Sequence, residues 1–175
     1  MIIPIPVIWR RRAIEFGKAA AKTEDEGGTR SAEYRVSGED PAWLHTYSKV
    51  GECGLALMMG LDPKVAVNWD ASRTDKGWDI TQLAGRQVDV KSSDNPYATA
   101  LLWPLTRRRN RDIDDFVFAR VLKSLEAADM VAWISEVHFW MKCHVAGPNH
   151  SKFREGTHYL DQTEMNPFED EGWPT

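Results

Sequence analysis

From Asp40 onward the hydrophobic positions fall into two rhythms. In "DPAWLHTYSKVGECGLALMMGLD", Leu44, Tyr47, Val50, Leu55, Met58 and Met59 recur at helical spacing. Asp40 supplies an N-cap and Pro41 suits the first helical position. The spacing predicts a helix over about 41–59, stopped by Gly60. Three shorter segments then alternate with period two: "KVAVNW", "GWDITQL" and "RQVDVKSS", with Gly85 in the turn between the last two. A helix followed by a three-stranded meander is the expectation.

The flanks are less periodic. Residues 1–40 read as an N-terminal extension, with a short helix at "IEFGKAAAK" ended near Gly27 and Gly28 and a polar loop after it. "YATALLW", between Pro96 and Pro104, fits one helical turn or a loop. Phe116 to Leu122 and Met130 to Ile134 read as strands, and Ser135 as the N-cap of a further helix. In the tail, "THYL" reads as a short edge strand, and residues 166–175 as a frayed acidic end. The fold class expected is α/β, one domain over 41–165 with a mixed sheet of four or five strands flanked by helices.

Composition narrows the class. A chain of 175 residues, 42% hydrophobic and 27% charged, supports one domain with a real core. Its apolar segments are short and broken by charge, so no membrane span is expected. The basic residues of "MIIPIPVIWRRR" follow the apolar run, the reverse of a secretory signal. Cys53 and Cys143 then read as reduced thiols in a cytoplasmic protein. The net charge of −4 gives no general attraction for nucleic acid, so such a partner needs a local basic patch. Arg107, Arg108, Arg109 and Arg111 form the best one, although a solvated charge run is the commoner meaning of such a stretch. Arg10 to Arg12 form a second run with no evident placement. No phosphate-binding loop, dinucleotide fingerprint or paired zinc ligands occur.

The strand "RQVDVKSS" carries the candidate chemistry. Its alternation puts Asp89 and Lys91 on one face and Val88 and Val90 on the other. A hairpin turn near Ala84 and Gly85 would bring Asp79 beside Asp89. Two adjacent carboxylates repel unless a divalent cation bridges them, and hard oxygen ligands suit magnesium or manganese. Lys91 would meet an anionic substrate or orient an attacking water. Together these are the parts for hydrolysing a phosphodiester. The plainer alternative is a solvent-facing strand with an ordinary ion pair. Glu52 is either a polar residue on the exposed side of its helix or, flanked by Gly51 and Gly54, one brought close to the sheet.

The ordered set of Glu52 in "VGECGLA", Asp79 in "GWDI", and Asp89 with Lys91 in "VDVKSS" resembles the PD-(D/E)XK nuclease superfamily. The likeness covers roughly residues 40 to 165, and "MVAWIS" resembles a later strand of such enzymes. It implies a restriction-endonuclease-like αβββαβ core and magnesium-dependent cleavage of DNA. By position, Asp79 and Asp89 would be metal ligands with the Val90 carbonyl and Glu52 in the metal shell, and Lys91 the catalytic lysine. Asp75 competes with Asp79, which is preferred because it follows Trp78 into the strand pattern. Gln87, Ser92 and the Arg107 to Arg111 run would contact nucleic acid, and Tyr97 and Trp103 would stack on bases or pack. A homodimer would serve to cut both strands, and the small size suits a phage or mobile-element enzyme. The alternative function is a catalytically inactive module of the same fold that binds nucleic acid or another protein.

Overall fold

The computed structural model describes residues 1–27, 40–71, 79–81, 85–103, 112–168 and 173. Helix α1 (Val7–Gly27) buries Ala13, Phe16 and Ala20, one helical face, against helix α2 (Pro41–Met58). The expected short helix is therefore a long one. α2 starts as the sequence predicts: Asp40 Oδ1 accepts from the Ala42 N–H at 3.0 Å, and Pro41 follows.

The predicted strand "KVAVNW" is corrected. Asp62 caps Pro63–Ala66, a one-turn helix α3, accepting from the Lys64 N–H at 2.9 Å. An Asp-Pro helix start outweighs two or three alternating residues.

Nine strands make two sheets among the described residues. The larger has the order β1 (Ile2–Pro4), β6 (Ala127–Ser135), β5 (Asp115–Val121), β3 (Gln87–Ser93), β2 (Ile80–Thr81), with β9 (Asn166–Pro167) beside β1 on β6. β1 lies in the segment read as an extension, yet it pairs antiparallel with β6, Ile3 opposite Ala128. β3 and β2 are antiparallel, β3 and β5 parallel, and β5 and β6 antiparallel. The sheet is thus mixed, as expected, and has six strands rather than four or five. Two strands of the expected meander remain, β2 and β3, paired antiparallel, and Gly85 shortly before β3 has φ of +81°.

The smaller sheet, β4 (Ala100–Trp103), β8 (His158–Asp161) and β7 (His144–Val145), is antiparallel and was not foreseen. "YATALLW" contributes a strand instead of a helical turn, and "THYL" is central in its sheet, not an edge. Helix α4 (Glu136–Lys142) starts where expected, with Ser135 Oγ accepting from the His138 N–H at 3.4 Å.

Alternation along β5 separates two cores. Val117, Ala119 and Val121 join Val88, Val90, Met130 and the α2 residues Val50 and Cys53 on one face. Phe116 and Phe118 join Leu101, Trp103, Phe139 and Leu160 on the other. Both faces of β5 are covered, so it reads as a continuous apolar run. The architecture is mixed α/β: α1 over α2, α2 over the larger sheet, and the smaller sheet with α4 beneath. No helix among the described residues is long and apolar enough to cross a membrane.

Candidate active site at the edge of the larger sheet

Among the described residues β2 pairs with only the first two residues of β3, and the strand edge beyond Val88 meets the Asp79 side chain. The Asp79 N–H donates to the Val88 carbonyl at 2.9 Å, and Asp79 Oδ2 accepts from the Val90 N–H at 2.8 Å. A strand residue sends its N–H and C=O to the same side, so the Val90 carbonyl faces this edge as well. Asp79 thereby lies alongside Asp89.

On the opposite sheet face to Val88 and Val90, Lys91 Nζ lies 2.7 Å from Asp89 Oδ1 and 2.6 Å from Oδ2. The same ammonium sits 4.9 Å from the Trp103 ring centroid. Asp89 is 6% exposed, so the pair is no solvent-facing strand edge. Trp103 is buried in the second core; of the two aromatic candidates only Tyr97, 86% exposed, is open to solvent.

Glu52 is buried, and Lys49, one helical turn before it, holds Nζ at 2.6 Å from each of its carboxylate oxygens. The exposed-helix-face alternative for Glu52 is thereby set aside. Burial pushes the Glu52 carboxyl up to about 8; Lys49 pulls against that shift, while the Asp79 and Asp89 carboxylates add to it. For Lys49, burial favours the neutral amine, but Glu52 and then Asp79 outweigh it and raise the pKa. Glu52, Asp79 and Asp89 are therefore within electrostatic reach of one another. Lys49 was missed in the sequence; its signal was the i, i+3 spacing to Glu52 on a helix.

Close helix packing makes this arrangement possible. A Cβ built on Gly51 would stand 2.0 Å from Ser92 Oγ, and one on Gly54 would stand 2.8 Å from Ala128 Cβ. α2 lies so near the sheet that a Cβ at either position would press on a sheet side chain, one that can turn aside at Gly51 and one fixed to the backbone at Gly54. Ser92 Oγ consequently lies buried under α2 with no hydrogen-bond partner among the described residues, away from any open groove. Gln87 Oε1 is likewise buried and unpartnered, and the Gln87 N–H donates to Asp114 Oδ2 at 2.8 Å. Arg86 clamps the neighbouring Asp115 with two hydrogen bonds of 2.7 Å, fixing β3 beside β5 at its start. Arg107, Arg108, Arg109 and Arg111 lie outside the described residues, as do Asp75 and Trp78.

The donor set fits magnesium in kind. Asp79, Asp89 and, once a cation displaces its proton, Glu52 are hard oxygen donors of the kind magnesium takes. Among the described residues no three acidic, imidazole or thiol groups gather into a ready metal cluster. Magnesium asks for less: one or two carboxylates, with water completing its octahedron. Asp79, Asp89 and the Val90 carbonyl would supply that part, with Glu52 behind them. Because Lys91 engages both Asp89 oxygens, a cation there must share or displace it. Neither the protein-family models nor the curated proteins compared with the chain match it.

Proposed function

We propose that this chain is a magnesium- or manganese-dependent deoxyribonuclease with a restriction-endonuclease-like core. The observation that carries the reading is the Asp79 carboxylate set on the Val90 N–H at 2.8 Å, beside the buried Asp89 and Lys91 pair. Two acids and a lysine drawn together with Asp89 buried carry a desolvation cost that a purely structural role does not repay.

A bound divalent ion supplies charge neutralisation at the scissile phosphate and acidifies a water. The residues do the rest. Asp79, Asp89 and the Val90 carbonyl would hold the cation. Lys91, released from Asp89, orients the attacking water or stabilises charge on the phosphate. Glu52, kept in place by Lys49, supports the metal shell from α2. DNA is the proposed substrate.

One observation favours the binding-module reading: Glu52 and Asp89 are each already engaged by a lysine at 2.6 Å. Titration calorimetry with manganese separates the two. The nuclease reading expects one site per chain, abolished in Asp79→Asn and Asp89→Asn while both variants stay folded. Absence of manganese binding to the wild type would count against it.

A further inference from the structure

A cavity of about 800 Å³ opens beside the candidate site, and Asp79 forms part of its wall. Thr81 lines it next to Asp79, and Arg12 from α1 and Trp69 line it too. The Arg12 guanidinium carbon lies 4.5 Å from the Trp69 ring centroid and 6.0 Å from that of Trp9. Those two indoles are stacked with centroids 6.2 Å apart, and Phe16 meets Trp69 edge-on. A half-buried arginine is thus held on an aromatic platform, and among the described residues no carboxylate pairs with it. A planar guanidinium oriented by stacking, with its N–H edge unclaimed, is a preformed receptor for a phosphate.

We infer that Arg12 grips a backbone phosphate of an unpaired DNA strand and so positions the neighbouring phosphate at Asp79 and Asp89. This rests on the nuclease reading above. The cavity volume falls in the range that encloses a small ligand, which suits a single strand and not a duplex. Asp62 and Asp70 on its wall repel further phosphates, whereas Lys64 and Arg12 attract them. With Asp62, Asp70 and Asp79 on the same wall, the attraction for phosphate is local to Arg12 and Lys64.

The test is the affinity of the full chain for a labelled single-stranded oligonucleotide in chelator, measured by anisotropy over a salt series. Arg12→Gln should weaken binding about tenfold and make the slope of log K against log salt shallower by about 0.7, the share of one phosphate contact on a single strand. Arg12→Lys should keep the wild-type slope. In cleavage with magnesium, Arg12→Gln should raise KM and lower kcat/KM about tenfold. Thr81→Glu places a carboxylate on the exposed part of the same wall and should also weaken binding. A folded Arg12→Gln protein with unchanged affinity and slope overturns the inference. If Arg12→Gln does not fold, unchanged affinity in Thr81→Glu does so. Equal, Arg12-dependent affinity for a blunt duplex overturns the single-strand assignment. Binding that depends on Arg12 without any cutting supports the phosphate site and overturns the nuclease reading. Cutting that ignores Arg12→Gln does the reverse.

Discussion

Replacing Gly54 with alanine tests how tightly α2 must press on the sheet. The new Cβ would stand 2.8 Å from Ala128 Cβ and 2.8 Å from Met130 Cε, against an ordinary carbon contact of about 3.5–4.0 Å. The Met130 methyl can swing away. Ala128 Cβ is fixed to the backbone of β6, so the helix or the strand must move. Overpacking costs about 1–3 kcal/mol, a neighbour fixed to the backbone puts Gly54→Ala at the upper end of about 2–3 kcal/mol, and the better helix propensity of alanine returns about 1 kcal/mol. A net loss of about 1–2 kcal/mol follows, or a fall in Tm of about 2–8 °C for a domain of this size. Gly51→Ala is the control. There the nearest atom is Ser92 Oγ at 2.0 Å, which turns aside about χ1 and leaves a contact of 3.2 Å with Ser92 Cβ. Its stability should stay near wild type. Urea unfolding of the three proteins decides the matter, with the order wild type and Gly51→Ala above Gly54→Ala. A Gly54→Ala protein as stable as wild type would refute the claim that close approach at Gly54 sets the depth of α2, and with it the position of Glu52.

Other outcomes follow from the same geometry. In chelator, the folded protein holds the Glu52 proton up to about 8 while the unfolded chain releases it near 4.5, so wild-type stability should fall between those pH values. Glu52→Gln should flatten that fall, and an equal decline in both proteins would show that Glu52 is not its source. The raised Lys49 pKa acts only above 10.5 and does not enter this window. Arg86→Ala leaves the fully buried Asp115 carboxylate without its clamp; with water still reaching the site, a loss of about 2–3 kcal/mol is expected by denaturant unfolding. Cys53 is buried with its thiol pushed up to about 12, so iodoacetamide at pH 8 should leave it unlabelled until the protein unfolds; fast labelling of the folded chain would contradict its burial.

Legibility in the sequence followed the strength of local signals. α2 and β3 were readable because a capped Asp-Pro start and a clean alternation each act within a few residues. β1 was not, since three residues become a strand only by finding β6 more than a hundred positions away. β4 was missed for the same reason, and β8, legible as a strand in "THYL", showed nothing of its central place, because each is four residues long and gains its order from the other. The parallel pairing of β3 with β5 likewise depends on a long connection and on the Arg86 to Asp115 clamp. In the candidate site, Asp79, Asp89 and Lys91 followed from strand period and one turn. The settings of Lys49 and Arg12 did not, because they arise from burial beside Glu52 and from the Trp69 platform, which are tertiary facts.

The central claim is that Asp79, Asp89 and Lys91 cut DNA with a divalent metal. Its most direct test is incubation of labelled single-stranded, duplex and branched DNA with the wild type, Asp89→Ala and Lys91→Ala, each in magnesium, manganese or chelator. The account predicts cutting by the wild type in either metal, none in chelator, and a loss of at least about a hundredfold in both variants, the scale of a lost charge-stabilising or proton-transfer group. No cutting of any substrate by folded wild-type protein, or cutting that survives Asp89→Ala, would contradict it.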